Sequence, residues 1–85
     1  MKSSVITIGV PLSIVGQFTN EELRLLITTE NYTKFRSKDL KLTYERTFNV
    51  AIRFSDVVAE SIRTNAEQRQ WSLVDYTAAL LANRV

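Results

Sequence analysis

An α+β fold is what this chain predicts, and three observations predict it: a β-rich stretch near the start, a long alternation of apolar and polar residues in the middle, and an abrupt change to helical period after Phe54. In residues 5–10, Ile6, Ile8 and Val10 fall on one face of a strand and Thr7 and Gly9 on the other, the period of two that a single buried face demands. Pro11 has no N–H and a fixed φ, which suits a strand exit or a helix start. Residues 20–28 predict a helix. Thr19 or Asn20 can cap it, Glu21 and Glu22 match the positive end of its dipole, and Leu23, Leu26 and Ile27 share one side. The following "TTENYTKFRSKD" is a polar connection, although its Tyr32 and Phe35 call for burial.

From Leu40 the even positions turn apolar: Leu40, Leu42, Tyr44, then Phe48, Val50, Ile52 and Phe54. Arg46 breaks that register, and ~15 residues is long for one strand, so the run divides into strands over residues 40–45 and 47–54. All four of Phe48, Val50, Ile52 and Phe54 are expected in the core. A helix follows with no glycine or proline at the join: Ser55 can cap it, Asp56 suits its N-terminus, and Val58, Ile62 and Ala66 recur at four-residue spacing toward Arg69. The last helix opens at Ser72, where "SLVD" is a capping box with Asp75 in place of the usual Glu. Its buried side is Leu73, Tyr76, Thr77, Leu80 and Leu81, and Ala78 and Ala79 favour helix.

Composition narrows the chemistry. With 85 residues, 45% of them apolar, there is room for one core. The absence of Cys and His removes disulfides and the usual transition-metal ligands, and with them the common general base and thiol nucleophile, so no metal, no cofactor and no enzymatic activity are expected. A net charge of +2 is modest. Its distribution is not: from Lys34 to Arg53 there are six cations (Lys34, Arg36, Lys38, Lys41, Arg46, Arg53) and two carboxylates (Asp39, Glu45). The apolar run at the N-terminus is too short for a membrane span and has no A-x-A-like cleavage site, so a cytoplasmic location is expected.

The order strand, helix, short turn, helix over residues 47–84 resembles the ribbon-helix-helix family of DNA-binding proteins. Within "RFSDVVAESIRTNAEQRQWS", Arg53, Phe54, Val58, Ile62, Ala66 and Ser72 stand at that family's spacing without a gap. There are departures. Ser55 stands where the family often has Pro, Gln70 near a family Gly that takes a left-handed conformation, and Asn65 where Leu is usual.

The resemblance implies a dimer in which two strands pair antiparallel into a ribbon whose polar face enters the major groove, since a strand and two short helices bury too little surface alone. It assigns Asn49, Ala51 and Arg53 to base reading: Arg53 toward guanine O6/N7, Asn49 toward adenine N6/N7, Ala51 toward a thymine methyl. Lys41, Arg46, Thr47, Ser72 and Leu73 become phosphate contacts, the last two through the N-terminus of the final helix. Residues 46–85 form the DNA-binding module. Residues 1–45 are an N-terminal extension of strand plus helix, or a degenerate second unit, because "ITIGVPLSIVGQF" echoes "VAIRFSDVVAESI" with Gly9 in place of Arg53. The expected partners are double-stranded DNA, a second copy of the chain, and a protein bound through residues 1–45, with no membrane. The expected function is transcriptional repression in a bacterial, plasmid or phage setting; the alternatives are an accessory DNA-binding protein at a plasmid transfer origin and a protein-interaction or inhibitor module.

Overall fold

The computed structural model describes residues 2–34, 37 and 39–83. It is α+β: strand β1 (Ser3–Pro11), a 3-10 turn (Leu12–Ile14), helix α1 (Asn20–Lys34), strand β2 (Thr47–Ser55), helix α2 (Asp56–Gln68) and helix α3 (Leu73–Ala82). The expectations at Phe35, Arg36, Lys38 and Arg84 lie outside the described residues.

β1 and β2 pair with each other, antiparallel, as a two-stranded sheet. The strand paired with β2 is therefore supplied by the same chain, the arrangement that a second unit in residues 1–45 allows, and not by a second copy. Pairing runs from Ser3 opposite Ser55 to Pro11 opposite Thr47, so its middle rung is Thr7 opposite Ala51. One further backbone bond extends the ladder at each end, Asp56 N–H to Lys2 O at 3.2 Å and Leu12 N–H to Arg46 O at 3.0 Å. Even-numbered residues of both strands thus carry the ladder bonds and odd-numbered ones direct their backbone groups outward.

The inner face of this ribbon begins the core. Ile6, Ile8, Val10, Ile52 and Phe54 are buried there against Ile27, Ile62, Tyr76, Leu80 and Leu81. Each such side chain contributes roughly 1.5–3 kcal/mol by leaving water. Residues 76–81 of α3 are all buried, Ala78 and Ala79 included, so this helix is enclosed. Its buried Thr77 is satisfied twice, donating to Leu73 O at 2.7 Å and accepting the Gly9 N–H at 3.0 Å. Phe48 departs from expectation: it is 57% exposed, at the loop end of β2, and Val50 is only partly covered. On the β2 side the cover, complete at Ile52 and Phe54, thins toward that end, while Ile8 and Val10 across the rungs remain buried.

Helix ends follow local chemistry. Thr19 and Glu22 form a reciprocal capping box on α1, with Glu22 N–H to Thr19 Oγ1 at 3.1 Å and Thr19 N–H to Glu22 Oε1 at 2.9 Å. Ser55 caps α2 by accepting the Val58 N–H, and Ser72 caps α3 by accepting the Asp75 N–H. The turn between α2 and α3 passes through Gln70 at φ 61°, the left-handed conformation that the departure from Gly foreshadowed. α1 continues to Lys34, beyond the expected end near Thr28, because Asn31 is buried and tied to the other helices. Tyr32, expected in the core, is 51% exposed.

The expected strand over residues 40–45 does not form. This stretch is irregular: Leu40 is buried, Tyr44 is 95% exposed, and the alternation does not correspond to two faces. Bonds other than strand pairing hold it. Asn83 Nδ2 donates to Lys41 O at 3.2 Å, and the Ser13 hydroxyl donates to Glu45 Oε1 at 3.0 Å while the Ser13 N–H binds the other carboxylate oxygen. Those two Ser13 bonds hold the Glu45 carboxyl below the ordinary carboxylate range.

Candidate nucleic-acid interface

The outer face of the ribbon is the surface the alternation leaves over once Ile6, Ile8, Ile52 and Phe54 turn inward. From β2 it presents Asn49, Ala51 and Arg53, all exposed, and from β1 it presents Ser3, Val5 and Thr7. The rungs place Arg53 opposite Val5, Ala51 opposite Thr7 and Asn49 opposite Gly9. Arg53 donates from Nη1 to Ser3 Oγ at 3.0 Å, a contact across the ribbon that extends its guanidinium along the face. Ser4 on the adjacent rung donates to Asp56 Oδ1 at 2.7 Å, occupying the one carboxylate at the start of α2.

Gly9 marks where α3 meets this face. A Cβ built on Gly9 would lie 2.7 Å from Val74 Cγ1, 2.8 Å from Val74 O and 3.4 Å from Thr47 Cβ. Only a residue without a side chain admits α3 at that distance. The N-terminal turn of α3, with Ser72 and Leu73, is thereby held beside the rung of Gly9 and Asn49, and Thr47 flanks the same point. By position in the helix, the Leu73 and Val74 N–H groups lack intrahelical acceptors, and Ser72 already serves Asp75, so the turn offers donors to an anion.

The structure thus brings together Asn49, Ala51, Arg53, Thr47, Ser72 and Leu73. Arg46 is exposed immediately before β2, its carbonyl fixed by Leu12 N–H. Lys41 is not part of this group: its backbone is tied by Asn83 to the far end of α3, about 15 Å along the helix from Ser72. Three residues of the face were not assigned from the sequence, namely Ser3, Val5 and Thr7. For Thr7 a signal was present in the echo between residues 6–18 and 50–62, which aligns it with Ala51, its partner on the central rung.

Behind the ribbon, the departure at Asn65 has a physical explanation. Asn65 Nδ2 donates to Asn31 Oδ1 at 2.8 Å, Tyr76 OH donates to the same oxygen at 2.7 Å, and Asn31 Nδ2 donates to Ser61 Oγ at 2.9 Å. A Leu at Asn65 would deprive this buried junction of α1, α2 and α3 of a donor. Burial pushes the Tyr76 phenol above its ordinary pKa, opposed by the asparagine amide and by the Arg69 guanidinium. Arg69 stacks 5.4 Å from the Trp71 ring centre and donates to Lys34 O and Ser37 O at 2.8 and 3.0 Å, which makes Trp71 a packing residue of the α2–α3 turn.

No helix is long and apolar enough to cross a membrane, and no metal-holding group of His, Cys, Asp and Glu is found, both among the described residues. Compared with protein-family models, with curated proteins and with solved structures, the chain matches none of them.

Proposed function

We propose that this protein is a sequence-specific double-stranded DNA-binding protein of the ribbon-helix-helix type, in which a ribbon made within one chain enters the major groove and represses transcription in the cytoplasm. The observation that supports it is the joint placement of an exposed outer face bearing Asn49, Ala51 and Arg53 and the N-terminus of α3 at the rung of Gly9. Two strands about 4.8 Å apart fit a groove about 12 Å wide. On this reading Arg53 binds guanine bidentately, Asn49 binds adenine, Thr47 and the N–H groups at Ser72 and Leu73 hold one phosphate, and Arg46 a second. Residues 1–45 then act as a degenerate second unit, contributing β1 to the ribbon. An accessory role at a plasmid transfer origin uses the same contacts and differs only in which site is bound.

The test is selection of a bound sequence from a random duplex pool, followed by titration of variants on the selected and a scrambled duplex at two salt concentrations. Arg53→Ala is expected to cost about 1–3 kcal/mol on the selected site and to relax its base preference. Arg46→Ala should weaken both duplexes alike and flatten the salt slope by about one unit. Lys41→Ala separates the two assignments made for Lys41: a phosphate contact gives the Arg46 pattern, whereas the position found here gives a smaller change. Equal losses for Arg53→Ala on both duplexes would remove base reading from this residue.

A second reading, a protein-interaction module, is favoured by the outer side of α1. There Phe18, Leu25 and Leu26 line an open groove of about 510 Å³. Failure to enrich any duplex, together with retention of a protein ligand, would put this reading first.

A further inference from the structure

The two edges of the ribbon are unequal. α3 lies along β1 and closes its loop end, where the outward Gly9 N–H is taken by Thr77 Oγ1, leaving only the outward groups of Ser3, Val5 and Thr7 without a hydrogen bond among the described residues. On β2 the outward backbone groups belong to Thr47, Asn49, Ala51 and Arg53, and among the described residues no hydrogen bond reaches them. Asn49, Ala51 and Arg53 are exposed, and the neighbouring Phe48 leaves over half of an aromatic side chain in water. An open strand edge with unpaired N–H and C=O groups is a template for another strand.

We infer that the β2 edge pairs antiparallel with β2 of a second copy, centred on Ala51, to give a sheet in the order β1-β2-β2-β1. The register follows from the side chains. A twofold axis at Arg53 sets two guanidinium groups opposite each other, which is repulsive. An axis at Asn49 uses only part of the strand and turns Arg53 toward Glu45, whose carboxylate already accepts two bonds from Ser13. An axis at Ala51 pairs the whole span Thr47–Ser55 with its copy and places the smallest side chain at the axis. Each Asn49 amide oxygen then faces an Arg53 guanidinium of the second copy, and each Phe48 lies beside a Phe54. The three central rungs supply about six backbone hydrogen bonds.

Four strands span about 14 Å between their outer axes, more than the ~12 Å groove admits with side chains added. Resting on the DNA reading, self-pairing and DNA binding therefore exclude each other, and protein concentration would limit occupancy of DNA.

The experiment uses the full chain without DNA. Sedimentation equilibrium across micromolar to millimolar concentration is expected to show the 9.7 kDa chain approaching twice its mass. Ala51→Lys, which opposes two ammonium groups at the axis, should weaken association by at least ~10-fold. Because the chain has no Cys, Ala51→Cys adds an independent readout: paired Cα atoms about 5.5 Å apart lie within disulfide reach, so oxidation should link two copies, whereas Leu25→Cys on α1 should not. A wild-type chain that stays single throughout, association unchanged in Ala51→Lys, or linking no faster through Ala51→Cys than through Leu25→Cys would each overturn the proposal. Adding the selected duplex should slow the Ala51→Cys link. If the link forms but the duplex has no effect, the pairing stands and its competition with DNA falls.

Discussion

The two halves of the ribbon have the same length and opposite character. β1 and β2 are nine residues each and meet at Thr7 and Ala51, yet the residues two places beyond that centre are Gly9 on one strand and Arg53 on the other. Gly9 is buried beneath α3, and Arg53 is exposed. β1 gives up a side chain so that a helix can approach; β2 keeps the donors. The following segments differ in the same sense. β1 runs through Pro11 into a single 3-10 turn with no side-chain cap, whereas β2 runs through a capping Ser55 into a regular helix. One half anchors the fold and the other carries the candidate chemistry, a division that a symmetric pair of identical chains cannot make.

Forcing the halves to be alike is the strongest way to break this arrangement. Gly9→Arg restores the cation that the echo lacks, but its Cβ meets Val74 at 2.7 and 2.8 Å, one of these contacts being backbone, so the variant should lose upwards of about 3 kcal/mol. Urea denaturation measures it, and a loss below about 1 kcal/mol would mean that α3 can move off β1 freely. Next is the junction that fixes the helices of both halves. Asn31→Leu leaves the Asn65 amide and the Tyr76 hydroxyl without their common acceptor, at a cost of about 2–3 kcal/mol. Adding Asn65→Leu should cost less than the sum of the two single changes, because the residues share one network.

A smaller effect of opposite sign belongs to the second half alone. Gln70→Gly relieves a left-handed conformation, φ 61°, and should stabilise by about 1 kcal/mol, read as a higher urea midpoint at unchanged slope; a destabilised variant would show that the Gln70 side chain contributes more than its backbone costs. The smallest change is in pH dependence. The Tyr76 pKa is raised in the fold above the ordinary value of 10.0, so the native state holds that proton more tightly than the unfolded chain. Stability from this source is full below pH ~10 and is lost as pH rises past it. Tyr76→Phe should flatten the alkaline limb of the stability profile; an unchanged limb would assign it to other groups.

What was legible in the sequence was whatever depends on neighbours a few residues apart. The caps at Ser55 and Ser72, the inward set Ile6, Ile8, Val10, Ile52 and Phe54, and the outward set Asn49, Ala51 and Arg53 all follow from periods of two or four. The left-handed turn at Gln70 was foreshadowed by the resemblance, which sets a glycine near that position. Residues 40–45 misled for the same reason: their alternation is as regular as that of β2, but alternation makes a strand only where the backbone is paired with another strand, and this stretch is held instead by Asn83 on the Lys41 carbonyl and by Ser13 on Glu45. The length of α1 was equally hidden, since Asn31 looks like a polar loop residue until Asn65 and Tyr76 are brought to it.

The sequence by itself therefore determined the strand faces, the helix starts and the kinds of side chain available at the outer surface. The tertiary structure alone decided that the ribbon closes within one chain, that Gly9 is the seat of α3 and not a weakened copy of Arg53, and that Ser72 and Leu73 stand beside Thr47 while Lys41 sits at the other end of the helix. Local periodicity comes from bond geometry repeated every few atoms. These placements depend instead on contacts between residues some 35 to 70 positions apart, such as Gly9 with Thr77 and Asn31 with Asn65, which no window of neighbouring residues contains.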